Sequence, residues 1–291
     1  MLVLKRKVLT GAHAFMGCLF CAVVVQGCFK FRTSDADAQE AFSQKGVALK
    51  TGFFTASNGR QLHYVQTGDS TAPTIFFIHG TPGSWDNFKG YLLDSSLLQH
   101  FRLVAVDRPG FGYSNFGKSL PVAAQAAMLN EFVRFCKNGK PAILTGHSLG
   151  GPIVVAMAAA DTTVAQTLLL LAASVSPLHE PAEKWRKALA NPVLNPLVPG
   201  AFRPSNAELL DFKTYVQQMP ALLQQVRCTT YVMHGTKDMF VPYANLAYAD
   251  SNLINAPVVN LITLPGENHF IPWTKFDDFR QLFLYINASL K

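Results

Sequence analysis

The chain has 291 residues, of which 49% are hydrophobic and 15% are charged, so it is long and apolar enough to bury a large core. The net charge is +7, but Lys5, Arg6 and Lys7 supply three of those charges, which leaves a scattered +4 for residues 28–291. So modest a charge does not favour nucleic acid as a partner. The histidines show no metal-ligand spacing and no nucleotide-binding glycine fingerprint occurs, so neither a metal nor a cofactor is predicted.

The N-terminal region predicts export or membrane attachment. Three basic residues at 5–7 precede a mostly apolar stretch at 8–27, which is the order of the segments in an export signal. This stretch of about 20 residues is also long enough to span a bilayer. Residues 1–27 are therefore a predicted signal peptide or membrane anchor, and the polar residues that follow make 28–49 a predicted tether.

The end of the apolar stretch, Val25-Gln-Gly-Cys28, resembles the bacterial lipobox, in which the cysteine receives a lipid. The resemblance implies lipidation at Cys28 and a lipoprotein held at a membrane of the cell envelope. An uncleaved single-pass anchor and ordinary secretion are the alternatives.

Short apolar runs alternate with helical segments along the rest of the chain. This alternation predicts an α/β protein with a mostly parallel central sheet and helices on both faces. The runs at 75–78, 103–106 and 168–171 are typical of strands that are buried on both faces. A proline-rich stretch at 176–225 breaks the alternation.

The segment at 141–160 is the most informative part of the sequence. Its apolar residues at 142–145 predict a strand, Gly-His-Ser148-Leu-Gly fits the pattern G-x-S-x-G, and small apolar residues at 152–160 predict a helix. A tight turn between a strand and a helix lifts a serine hydroxyl clear of the sheet and places the start of the helix near it. Ser148 is therefore the candidate nucleophile.

A serine nucleophile needs a base, and the base needs an acid that orients it. Two later loops supply these groups, because Asp238 follows a predicted strand at 230–234 and His269 follows a predicted strand at 258–264. An aspartate in a loop is often only a turn residue. Other carboxylates in this third of the chain are alternative acids: Asp250, Glu267 and Asp277.

The order Ser148, Asp238, His269, with each residue after a separate strand, resembles the serine hydrolases of the α/β-hydrolase fold. The resemblance covers roughly residues 50–290 and includes the motif His79-Gly-Thr-Pro-Gly, which follows the run at 75–78. It implies a core formed by 50–175 and 226–291, with 176–225 as a small inserted helical cap.

The resemblance also implies roles for residues beside the nucleophile. The backbone N–H groups of Thr81 and Leu149 form the implied oxyanion hole, and Pro82 has no N–H to offer instead. The segment Asp107–Ser114 resembles a turn of the family and is interpreted as structural support. Residues of the motif loops are the candidate lining of the substrate pocket: His79, Phe111, His147, Phe270 and Trp273.

These features predict a carboxylester hydrolase for small or medium acyl chains, with a small-molecule acyl substrate as its partner. Epoxide hydrolases and haloalkane dehalogenases share the His-Gly-x-Pro-Gly loop but use aspartate as nucleophile, so Ser148 argues against both. Carbon–carbon bond hydrolases, lactonases, proline iminopeptidase-like enzymes and perhydrolases are alternatives within the fold. An alternative of another class is a membrane-tethered binding protein on an inactive hydrolase fold.

Overall fold

The computed structural model describes residues 29–181 and 183–290. The predicted signal or anchor at 1–27 and the predicted lipidation at Cys28 lie outside these residues. Within the described ranges, no helix is long and apolar enough to cross a bilayer.

A single sheet forms the centre of the described part of the chain. Its strands are β1 (Lys50–Thr55), β2 (Gln61–Thr67), β3 (Thr74–Ile78), β4 (Arg102–Val106), β5 (Ala142–His147), β6 (Thr167–Leu171), β7 (Thr229–Gly235) and β8 (Val259–Leu264). They lie in the order β1-β2-β4-β3-β5-β6-β7-β8. β2 is antiparallel to both β1 and β4, and every other pair is parallel. The predicted mostly parallel sheet is confirmed.

Helices cover both faces of the sheet. They are α1 (Asp35–Ser43), α2 (Lys89–Leu92), α3 (Ser95–Leu98), α4 (Val122–Cys136), α5 (Gly150–Ala160), α6 (Arg186–Leu189), α7 (Phe202–Tyr215), α8 (Met219–Leu223), α9 (Asn245–Asn252), α10 (Ile271–Thr274) and α11 (Phe276–Ser289). Short 3₁₀ helices occupy Trp85–Phe88, Asn195–Leu197 and Val216–Gln218.

Successive residues of the central strands pack into two different apolar layers. In β3, Phe76 and Ile78 contact the layer that contains α4 and α5, whereas Ile75 and Phe77 contact the layer that contains α1 and α11. All five residues of β3 are buried. Because side chains alternate across a strand, a strand covered on both faces needs apolar residues at every position, which explains the continuous apolar runs in the sequence.

The predicted tether at 28–49 is corrected by the structure over its central part. Asp35–Ser43 form helix α1, which Ser34 caps by accepting a hydrogen bond from the Asp37 backbone N–H. Phe42 is fully buried with its ring 6.2 Å from that of Trp85. The sequence is polar around these positions because only the inner face of α1 meets the core.

Helices α6, α7 and α8 lie in the segment that joins β6 to β7 and that was predicted as the cap. The sequence predicts helices at 183–190 and 207–218, and the structure has a shorter first helix and a second one that begins at Phe202. Phe212 of α7 is fully buried and holds this segment against the α4 side of the core. Glu180, Phe202 and Leu209 of this segment line one cavity together with Ser148, which follows β5. The segment at 176–225, called the cap segment below, therefore lies near the end of β5.

Candidate active site

The candidate site lies where the parallel strands end. β3, β5, β7 and β8 run in the same direction, so the loops that follow them meet at one edge of the sheet. A cavity of about 420 Å³ opens there between these loops and the cap segment. Its lining contains both predicted oxyanion residues, the candidate nucleophile and the candidate base: Thr81, Leu149, Ser148 and His269.

Ser148 occupies a sharp turn between β5 and α5. Its φ angle is 54°, in the left-handed region that a residue with a side chain seldom adopts, and its N–H donates to Leu171 O at 2.9 Å. The loop after β3 approaches this turn closely, because a Cβ on Gly80 would lie 2.9 Å from Ser148 Cβ. A Cβ on Gly150 would lie 2.2 Å from Ile78 O. Glycine at these two positions therefore lets the loop after β3 approach the turn that contains Ser148.

Asp238 and His269 form a hydrogen-bonded pair beside Ser148. The distance from His269 Nδ1 to Asp238 Oδ2 is 2.7 Å, and the Asp238 side chain is fully buried. The backbone N–H groups of Phe240 and Val241 donate to Asp238 Oδ1 at 2.9 and 2.8 Å. Since the carboxylate accepts at Nδ1, the proton of the neutral His269 ring lies there and Nε2 is left free to accept a proton.

His234 is a further partner of Asp238 that the sequence analysis did not find. Its Nε2 lies 3.3 Å from Asp238 Oδ2 and 2.9 Å from Val241 O. Both neighbours are acceptors, so Nε2 carries the proton. Burial alone would raise the pKa of Asp238, but hydrogen bonds from His234 and His269 outweigh burial and hold that pKa well below its usual value. The signal in the sequence was the spacing of four residues between His234, near the end of β7, and Asp238.

Ser148 and His269 face the same cavity without a hydrogen bond between their side chains in the described residues. A serine hydroxyl rotates freely about its Cα–Cβ bond, and such contacts often tighten only when a substrate binds. The structure therefore brings the three predicted catalytic side chains to one place, with the acid–base pair already joined.

Three of the five predicted pocket residues line the cavity, and two do not. His147, Phe270 and Trp273 are part of the lining. Phe111 is fully buried and does not line the cavity, because its ring packs 5.5 Å from the His79 ring and under the Arg108 guanidinium. His79 is also fully buried, so the pocket role predicted for both residues is corrected to packing beneath the loops.

Hydrogen bonds from His79 and Arg108 hold the loop after β3 in place. His79 Nδ1–H donates to Gly80 O at 2.7 Å, while His79 Nε2 accepts from the Arg108 N–H at 3.0 Å. Burial and the nearby Arg108 guanidinium hold the pKa of His79 well below its usual value, so the ring stays neutral. Arg108 also donates to Gly80 O, at 2.8 Å, directly before Thr81.

Glu208 of the cap helix α7 completes this network. It accepts two hydrogen bonds from the Arg108 guanidinium, at 2.7 and 2.8 Å, and a third from the Gln125 amide at 2.7 Å. All three side chains are buried. The Arg108–Glu208 ion pair therefore joins α7 to the loop after β3. The sequence analysis interpreted the turn that contains Arg108 as structural support, but it did not find the pairing with Glu208, which lies 100 positions away.

The turn at Asp107–Ser114 supports the site without entering it, as the sequence analysis proposed. Asp107 is fully buried and accepts hydrogen bonds from the backbone N–H groups of Trp85 and Tyr113, each at 2.9 Å. Asp107 also contacts the His63 side chain, with 2.8 Å between Asp107 Oδ2 and His63 Nδ1. Asp107 therefore ties the segment after β3 to the segment after β4.

We expect His147 to make stability depend on pH. Burial and the neighbouring His269 ring lower the pKa of His147 to about 3, whereas an unfolded histidine titrates near its ordinary pKa of about 6.5. Between these values the unfolded chain binds the additional proton, so stability falls as the pH decreases. Wild type should lose about 2 kcal/mol more unfolding free energy between pH 7 and pH 5 than His147→Gln does.

Urea unfolding at the two pH values measures this difference. The exposed His100 provides the control, since His100→Gln should keep the pH dependence of wild type. Equal pH dependence in wild type and His147→Gln would show that the buried ring is not the group responsible.

Comparison with known proteins agrees with this architecture. A family model described as alpha/beta hydrolase fold matches residues 73–196. A bifunctional esterase/perhydrolase from Acinetobacter calcoaceticus is 30% identical over 282 residues, which cover 81% of this chain and 100% of that protein. Bifunctional epoxide hydrolase 2 from Rattus norvegicus is 33% identical over 109 residues, covering 37% of this chain and only 19% of that protein. This chain therefore matches about a fifth of the rat enzyme's length.

Solved structures show the same fold. An esterase from Exiguobacterium antarcticum superposes with a TM-score of 0.66 at 17% identity, over 82% of this chain and 100% of that one. A bacterial membrane phospholipase A superposes with a TM-score of 0.63 at 17% identity, over 99% of this chain and 98% of that one. The sheet and the relatives define a hydrolase of the α/β class. The chain belongs to the α/β-hydrolase fold family.

Proposed function

We propose that this protein is a serine hydrolase that cleaves carboxylic esters through an acyl-enzyme intermediate. The observation that carries the proposal is the placement of Ser148, on a strained turn, in the same cavity as a histidine that a buried carboxylate orients. A nucleophile, a base and an acid in this arrangement are the parts that acyl transfer requires. The Ser148, Asp238 and His269 triad remains part of the proposal.

In the proposed mechanism, His269 Nε2 takes the proton of the Ser148 hydroxyl as its oxygen attacks the ester carbonyl. Asp238 keeps the ring oriented and stabilises the imidazolium that forms. The backbone N–H groups of Thr81 and Leu149, beside Ser148 in the cavity, bind the negatively charged oxygen of the tetrahedral intermediate. His269 then gives its proton to the leaving alcohol, and a water molecule, activated by the same ring, hydrolyses the acyl-serine.

The chemistry of serine favours an ester over an epoxide as substrate. A serine that attacks a carbonyl forms an ester, which water hydrolyses readily. A serine that opened an epoxide would form an ether, which water does not cleave under the same conditions, so the enzyme would not turn over. The relatives named as epoxide hydrolases match only short segments of this chain, whereas the relative named as an esterase/perhydrolase matches over its whole length.

Perhydrolysis is the second candidate function, because that full-length relative is named for both activities. It would use the same acyl-enzyme, with hydrogen peroxide in place of water as the second nucleophile. Lactones, aminoacyl amides and carbon–carbon bonds next to a carbonyl are further acyl substrates that the same three groups can attack. An inactive binding protein is the alternative of another class, and it would release no product from any of these substrates.

Hydrolysis of p-nitrophenyl acetate and butyrate tests the proposal. We expect the purified chain to turn over these activated esters and Asp238→Asn to lower kcat by about 10⁴, since an amide would leave His269 in the wrong tautomer. The control is Asp250→Asn, at an exposed aspartate that the sequence left open as the acid, and it should keep the wild-type rate. A near-normal rate in Asp238→Asn would mean that another group orients the base.

A further inference from the structure

The cap segment exposes an apolar surface beside the candidate site. Four of its side chains are between 40% and 70% exposed and line one groove of about 350 Å³: Trp185, Leu194, Leu197 and Phe202. These four residues are called the cap face below. Exposed single apolar residues are common, but several around one groove are typical of a surface that binds something.

The cap face adjoins the mouth of the active-site cavity. Arg186 and Phe202 line both the groove and the cavity. Phe270 and Trp273, also 40% exposed or more, lie on the cavity side of the same opening. A partner that covers the cap face would therefore also cover the entrance to the cavity.

The first described residues, from Phe29 onward, lie on the cap face. The Phe29 and Phe31 rings lie 6.1 and 5.8 Å from the ring of Phe202, and the Ala201 N–H donates to Phe29 O at 2.7 Å. Both N-terminal rings are more than 40% exposed. The sequence directly before them, 8–27, is mostly apolar and follows three basic residues. An apolar segment of about 20 residues is thus covalently joined to the chain at the cap face.

The charge around the cap face matches an anionic lipid surface. Lys184 and Lys187 are exposed on either side of Trp185. The nearby acidic Glu183 is neutralised by Arg186, whose guanidinium donates to it at 2.8 Å. A tryptophan between lysines, with leucines beside it, is the composition of segments that lie in the headgroup region of a membrane.

We propose that the cap face docks on the surface of an anionic phospholipid bilayer, with the cavity mouth turned toward the lipid. The apolar side chains enter the headgroup boundary, and Lys184 and Lys187 lie against the lipid phosphates. The proposal concerns a binding surface and does not depend on the chemistry proposed for Ser148.

The natural tryptophans provide the test. Full-length protein is bound to phosphatidylcholine–phosphatidylglycerol vesicles whose acyl chains carry bromine, which quenches tryptophan emission at close range. Trp85 is fully buried in the core, so quenching reports on Trp185 and Trp273. We expect strong quenching in wild type and loss of most of it in Trp185→Phe.

Two matched variants separate the cap face from the rest of the surface. Leu197→Glu places a charge on the cap face. Ile254→Glu places the same charge on a residue that precedes β8, at the opposite ends of the strands from the cavity. The two side chains are similarly exposed, at 68% for Leu197 and 66% for Ile254. Leu197→Glu should lose most of the quenching and Ile254→Glu should keep it. No binding to vesicles, unquenched Trp185 on bound protein, or equal quenching in the two variants would overturn the proposal. A lipid-free dimer that Leu197→Glu dissociates would assign the face to a second copy instead.

Discussion

Ser148→Ala should abolish covalent labelling by a fluorophosphonate and lower ester hydrolysis by about 10⁴ to 10⁶. The alanine removes the proposed nucleophilic oxygen and leaves the Asp238–His269 pair intact. The turn also keeps its backbone bonds, since the Ser148 N–H, not its side chain, donates to Leu171 O. Intact mass after labelling, and initial rates with p-nitrophenyl butyrate, measure the two effects.

A second serine of the same cavity supplies the control for this experiment. Ser174 lines the cavity and donates its hydroxyl to Glu180 Oε2 at 2.8 Å, away from the acid–base pair. Ser174→Ala should still be labelled. If Ser148→Ala is labelled as fast as wild type, or if wild type is not labelled, the assignment of the nucleophile is wrong. Ser148→Ala should lose fluorophosphonate labelling while its tryptophans are still quenched by brominated vesicles. That result would show that the nucleophile assignment and the cap-face proposal are independent of each other.

The turn that carries Ser148 could be predicted from sequence because all of its determinants are local. A buried strand, glycines on both sides of Ser148 and a run of small helical residues lie within 20 positions of one another. The structure adds why Gly146 and Gly150 are required, since a Cβ on Gly146 would lie 2.4 Å from Gly150 O and a Cβ on Gly150 would lie 2.2 Å from Ile78 O. The parallel sheet was predictable for the same reason, because each strand carries its own continuous apolar run.

The assignment of the candidate acid needed three-dimensional information. Asp238, Glu267 and Asp277 all lay within reach of His269 along the chain. In the structure Glu267 accepts a hydrogen bond from Thr274 and Asp277 pairs with Arg280, each at the protein surface. Only Asp238 is buried against the His269 ring. Sequence order made it the first candidate, and packing of the loops after β7 and β8 distinguishes it from the others.

Residues joined by packing between distant elements were not predictable. Phe111 lies within a recognisable turn, yet its burial depends on where Arg108 and His79 lie around it. The helix at Asp35–Ser43 has a polar sequence and is fixed by Phe42 inserting beside Trp85. In both cases one aromatic side chain enters a pocket formed by residues that are distant in sequence, and this contact fixes the local structure. A single sequence carries no periodic signal for such a contact.

Glu208→Gln should lower the unfolding free energy by about 3–5 kcal/mol, the largest loss we expect from a single polar substitution in this chain. The change keeps the shape of the side chain but leaves the Arg108 guanidinium buried without its counter-charge. An uncompensated charge in a fully buried position is costly, because neither water nor a carboxylate stabilises it. Urea unfolding at pH 7 measures the loss.

The exposed pair Arg134–Asp161 supplies the matched control, since its arginine side chain is 51% exposed and its ion pair is 2.7 Å long. Arg134→Met should cost less than about 1 kcal/mol. The double variant Arg108→Met/Glu208→Met removes both charges and should be more stable than Glu208→Gln, as replacement of a whole buried pair often is. Similar losses in Glu208→Gln and Arg134→Met would mean that the buried pair contributes no more than a surface contact.

The same variant links the cap to the chemistry. Arg108 donates both to Glu208 and to Gly80 O, next to the proposed oxyanion donor Thr81, so a guanidinium that loses its partner on α7 can also shift the loop. We expect Glu208→Gln to lower kcat for p-nitrophenyl butyrate more than it raises KM, because an oxyanion donor acts in the transition state and not in the bound ester. A rise in KM with unchanged kcat would instead place the role of the pair in shaping the pocket.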